Sequence, residues 1–143
     1  MKTVKRSALV PYSAAQMYEL VRKVEDYPDF LPWCSGSRVM EVHDDGVSAR
    51  LDISKGGMRQ SFSTRNTEIR HSEIRMQLLD GPFNHLSGRW SFESIADAGS
   101  RVSLHLQFDF SSTLASMTIG PVFNKIADTM LDAFVRHAEK VYG

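Results

Sequence analysis

The chain of 143 residues is predicted to fold as one α+β domain, a curved antiparallel sheet of about seven strands wrapped around a long C-terminal helix, with two short helices after the first strand. Two patterns predict it. From Ser37 to Phe110 apolar and polar residues alternate with a period of two, and from Val122 to Val141 apolar residues recur three or four apart. Gly-containing breaks at Gly56-Gly57, Asp80-Gly81-Pro82 and Asp97-Ala98-Gly99 join the alternating runs as hairpins, and each run has one wet face, unlike a parallel sheet covered on both sides.

The elements follow in order. Thr3 to Val10 reads as a strand closed by Pro11, which cannot donate to a sheet ladder. Ser13 with Gln16 three residues on forms a capping box, and Met17, Leu20, Val21 and Val24 then share one helical face. Pro28 is expected to stop that helix. The clearest strands place Val47, Ala49, Leu51 and Ile53 on one face, then Ile74, Met76 and Leu78, then Leu86, Gly88, Trp90 and Phe92, then Val102, Leu104, Leu106, Phe108 and Phe110. Arg38 to Val42 and Gln60 to Thr67 supply two more with weaker alternation. A short turn at Leu114 to Met117 precedes a helix from Pro121 to Tyr142, with Val122, Phe123, Ile126, Met130, Phe134, Ala138 and Val141 on its apolar face.

Composition narrows the function. Seventeen basic residues balance seventeen acidic ones, which disfavours a partner held by bulk charge, and no DNA partner is expected. The single cysteine, Cys34, excludes an internal disulfide and fits a reducing compartment, where it reads as a small buried residue. The N-terminal apolar run is too short for a signal peptide, so the cytoplasm is expected, with peripheral contact at the inner membrane. Histidines 43, 71, 85, 105 and 137 lack metal-ligand spacing, and no nucleophile elbow, phosphate loop or dinucleotide fingerprint occurs. No catalytic residue, metal or cofactor is therefore expected.

A bent sheet gripping one helix leaves an internal hollow, expected at a few hundred Å³. None of its inward candidates is ionisable, which argues for binding rather than acid–base chemistry. The ligand-contacting residues expected are Tyr27, Phe30, Leu31, Trp33, Leu51, Phe62, Met76, Trp90, Leu106, Phe108, Met130 and Phe134. Trp90 is the one most expected against a ring, since Gly88 two residues earlier either leaves room on that face or marks a bulge. The segment Asp26 to Cys34 puts three aromatics and a leucine in a proline-punctuated connection, where they either plug one end of the core or form a lid over the cavity mouth. Arg50, Lys55, Arg59 and Arg65 are either a solvated sheet face or a footprint for ribosomal RNA or anionic headgroups.

Tyr27-Pro28-Asp29-Phe30-Leu31-Pro32-Trp33-Cys34, with Asp80-Gly81-Pro82-Phe83, Leu86, Gly88 and Trp90, and Phe108-Asp109-Phe110, resembles the coenzyme Q-binding branch of the START-like, or polyketide cyclase-like, superfamily over nearly the whole chain. The bacterial group it most resembles is the ribosome association toxin type, to which Arg6-Ser7-Ala8-Leu9-Val10-Pro11-Tyr12-Ser13 is also similar. The resemblance implies a helix-grip fold with a hydrophobic tunnel. It implies binding of a quinone or other lipid, ubiquinone first, as a ligand rather than a cofactor in support of respiration. The alternative it carries is contact with the large ribosomal subunit that blocks subunit joining, and cyclase or dehydratase chemistry is a third, weaker reading, because fold alone does not transmit chemistry.

Overall fold

A computed structural model describes residues Met1 to Gly143. The chain runs β1 (Lys2–Val10), α1 (Ala14–Arg22), a single 3-10 turn (Val24–Asp26), α2 (Tyr27–Phe30), β2 (Cys34–His43), β3 (Gly46–Lys55), β4 (Met58–Ile69), β5 (Glu73–Asp80), β6 (Phe83–Ile95), β7 (Gly99–Phe110), α3 (Thr113–Thr118) and α4 (Gly120–Tyr142). The seven strands form one sheet in the order β1-β7-β6-β5-β4-β3-β2. Every neighbouring pair is antiparallel. This is the predicted meander, with β1 returning to pair with the last strand. The sheet and α4 bury each other's apolar faces, as an amphipathic helix and a one-sided sheet must.

Local chemistry explains the boundaries. The capping box forms as read: Ser13 Oγ accepts from Gln16 N at 3.1 Å, and Ser13 N donates to Gln16 Oε1 at 2.9 Å. Pro28 does not stop α1, which ends six residues earlier at Arg22 where Lys23 leaves helical geometry with ψ 76°. Pro28 instead sits in the first turn of α2, where the missing N–H costs nothing. At the β6–β7 turn Gly99 has φ +118°, and a Cβ there would lie 2.0 Å from the Val10 carbonyl oxygen, so only glycine lets β1 close onto β7.

The long helix differs from its expected face in detail. Gly120, Phe123, Ile126, Ala127, Leu131, Phe134 and Ala138 are its buried residues, whereas Val122 is half-buried and Val141 is 51% exposed. Over about six helical turns the face drifts relative to a fixed three-or-four spacing, which rotates Val141 out and Leu131 in. Two aromatic clusters anchor this helix. Phe123 meets Phe83 and Phe108 at ring-centroid distances of 4.9 and 4.8 Å. Phe134 meets Trp90, Tyr27 and Phe30 at 5.2, 5.3 and 5.2 Å.

Candidate functional site: an apolar interior and a polar outer sheet

Between the two clusters lies a hollow lined by Val24, Tyr27, Ala49, Leu51, Phe62, Thr64, Asn66, Met76, Leu86, Trp90, Leu104, Leu106, Phe123 and Met130. Its volume is about 60 Å³. The hollow expected from the sequence was several times larger, and sites for drug-sized ligands run to about 300 Å³ and more. The reason is packing: the aromatic rings on α4 and the long Met76 and Met130 side chains occupy the concave side of the sheet. Methionine is the adaptable element of that wall.

Seven of the twelve residues expected to contact a ligand meet at this hollow: Tyr27, Leu51, Phe62, Met76, Trp90, Leu106 and Met130. The other five lie behind it. Phe134 and Phe108 are fully buried in the two aromatic clusters. Leu31 and Trp33 are buried side chains of the connection that joins α2 to β2, where the Trp33 carbonyl accepts from Ser54 N at 2.9 Å. Phe30 packs on Phe134 and stacks flat on His137 of α4 at 3.7 Å. Burial lowers the pKa of that histidine and so favours its neutral ring. The segment 26–34 therefore plugs the core at the C-terminal end of α4.

Gly88 is paired regularly with Met76 and Leu106, without a bulge. A Cβ at Gly88 would meet the Met76 methyl at 2.7 Å and a Leu106 methyl at 2.8 Å. The room it leaves is taken by these two side chains.

Two polar residues of the wall were not expected. Thr64 and Asn66 follow Phe62 at intervals of two on the inward face of β4, and Thr64 Oγ1 donates to Asn66 Oδ1 at 2.7 Å. The period of two from Phe62 was the signal that would have found them. The same face continues to Glu68, which corrects the expectation that no ionisable residue points inward on the sheet. Glu68 is 14% exposed and pairs with Arg22 of α1 at 3.5 Å, beyond the hollow's lining. The only titratable group on the lining itself is Tyr27, whose hydroxyl donates to the Val21 carbonyl and whose pKa is pushed well up by burial.

On the outer face the four expected contact cations divide. Arg50 is tied to Asp52 at 3.0 Å and to Ser61 at 3.1 Å, and Arg65 is tied to Asp45 at 3.0 Å. Lys55 and Arg59 are exposed at the β3–β4 hairpin and form no ion pair. The four are therefore not one uniform patch. A serine–histidine contact, Ser87 to His85 at 3.0 Å, lies on this open face, and neither residue bonds a carboxylate to orient the ring. No three His, Cys, Asp or Glu side chains are grouped to hold a metal ion, and no helix is long and apolar enough to cross a membrane.

A curved antiparallel sheet gripping a long terminal helix over an apolar hollow defines the helix-grip, or START-like, class of binding folds. The chain belongs to the polyketide cyclase/dehydrase and lipid transport family, whose model matches residues 10–135. It is 45% identical over 143 residues to a Vibrio cholerae protein named ribosome association toxin RatA, covering 100% of this chain and 99% of that one. It is 28% identical over 141 residues to the mitochondrial coenzyme Q-binding protein COQ10 homolog B of Xenopus laevis, covering 96% of this chain and 58% of that one. Among solved structures, an 18 kDa protein of Caulobacter crescentus superposes with TM-score 0.77 at 30% identity, covering 100% and 99% of the two chains. The Zhui aromatase/cyclase of Streptomyces sp. R1128 superposes with TM-score 0.82 at 18% identity, covering 99% and 96%, which is a likeness of fold.

Proposed function

We propose that this protein is a non-enzymatic START-like module that associates with the ribosome through its outer surface. The observation that carries the reading is the end-to-end match, at 45% identity, to a relative named ribosome association toxin. The interior agrees with it: a hollow of about 60 Å³ leaves the protein a nearly solid body whose accessible chemistry is on the outside. The proposed contact is the large subunit, and the proposed effect is fewer joined ribosomes. Sedimentation of the protein with separated ribosomal subunits tests this. Migration with the large subunit and loss of the joined peak is the expected result, and protein that stays at the top of the gradient at every salt concentration overturns it.

A second reading, uptake of an isoprenoid quinone or similar lipid, is favoured by the lining, of which twelve of fourteen residues are hydrophobic, and by the more distant COQ10 relative. It requires the methionine wall to open, because a quinone ring exceeds the present volume. Native mass spectrometry with lipid extraction reads this directly, and a stoichiometric quinone is the outcome that supports it. Cyclase chemistry has the least support. The only ionisable side chain at the hollow is the hydrogen-bonded Tyr27, and Glu68 is neutralised by Arg22.

A further inference from the structure

Resting on the ribosome reading, we propose that the outer face of strands β1, β7, β6 and β5 is the docking surface, and that it grips the phosphate backbone of a double-helical segment of ribosomal RNA. The strand register assembles a feature that the sequence scatters. Lys5 is paired with His105, His105 with Arg89, and Arg89 with Arg75, so four basic residues lie in one row directly across four adjacent strands. At about 4.8 Å per strand the row spans roughly 14 Å.

The row is costly to the fold. Arg89 and Arg75 are like charges directly opposite one another, which repel, and only Arg75 has a local counter-charge, Glu73 at 2.8 Å. Lys5 and Arg89 are exposed and form no ion pair. His105 Nε2 is buried and has no hydrogen-bond partner within the protein. His105 and Arg89 line both of two shallow open depressions, of about 330 and 370 Å³. A polyanion supplies the counter-charge that the exposed Lys5 and Arg89 lack.

The flanking rows identify which polyanion. On one side the register places Thr3, Gln107, Ser87 and Gln77. On the other it places Ser7, Ser103 and Ser91 before Glu73. Hydroxyls and amides beside Arg and Lys are the groups that bond phosphate and sugar oxygens. None of these positions is aromatic, so the surface has no platform for the splayed bases of single-stranded RNA, which favours the backbone of a duplex. None is apolar either, and the exposed leucines of this face, Leu9 and Leu79, stand singly on edge positions to opposite sides of the row, so they form no continuous apolar patch to enter the acyl region of a bilayer.

Co-sedimentation with ribosomal particles across a salt series tests the proposal, using the wild-type chain and the triple variant Lys5→Gln/Arg75→Gln/Arg89→Gln. Wild-type affinity is expected to fall steeply with salt. In the variant, affinity drops at least about tenfold and the log–log slope is shallower by roughly two to three, near 0.9 per lost phosphate contact, with a melting temperature equal to or above that of the wild type. A wild type that pellets and a variant that pellets with the same affinity and slope overturn this surface while the ribosome reading stands. A wild type that never pellets overturns the ribosome reading, and this surface falls with it. Tighter binding to single-stranded than to duplex RNA of equal length overturns the duplex assignment. Binding to phosphatidylglycerol vesicles that the variant loses while ribosome binding persists assigns the row to lipid instead.

Discussion

At the scale of single residues, Cys34 shows how burial decides chemistry. Its thiol donates to the Gly36 carbonyl at 3.2 Å, and burial pushes its pKa up to about 11. Near pH 8 that leaves about one thiolate in a thousand, and the thiolate is the reactive species. A thiol reagent is therefore expected to label the native protein at least a hundredfold more slowly than the urea-unfolded chain, and comparable rates would contradict the packing around Cys34. That cysteine was legible in the sequence as a small buried residue. The state of the arginines was not. Arg65 is neutralised by Asp45, twenty positions away across a hairpin, and Arg50 by Asp52 on its own strand face, so the count of cations between residues 50 and 75 overstated the free charge.

At the scale of elements, the period-two runs of β3, β5, β6 and β7 disclosed both the strands and their buried faces, because through the middle of each strand one face is apolar. β4 was less legible for a physical reason. Its inward face carries Phe62, Thr64, Asn66 and Glu68, so polarity alone does not distinguish its two sides. The helix α4 was legible as amphipathic, but its two-point anchoring by Phe123 and Phe134 depends on partners far away in the chain. Phe134 is fully buried against Trp90, Tyr27 and Phe30. Phe134→Ala is expected to cost about 3–5 kcal/mol in denaturant unfolding, with the plug segment 26–34 loosened first in hydrogen exchange. A loss under about 1 kcal/mol would mean the cluster can collapse onto the gap.

At the scale of the whole molecule, interior and exterior are separable. Ala49 is 2% exposed and lines the hollow, so Ala49→Ile fills space there without touching the outer sheet. This variant is expected to lose any quinone retained by the wild type and to pellet with ribosomal particles as before. Loss of both activities together would tie them to one site. The distinction was only partly open to sequence reading, since the fold and the hollow's apolar lining follow from alternation, while its volume is set by how side chains interlock.

That small void between two rigid aromatic knots also has a mechanical meaning. Compression favours whatever state eliminates empty space, so the gap around Met76 and Met130 makes this region the soft spot of an otherwise stiff body. Under hydrostatic load the methyl groups at its edge yield before the rest of the core, and a chain with the gap filled withstands greater load before it unfolds.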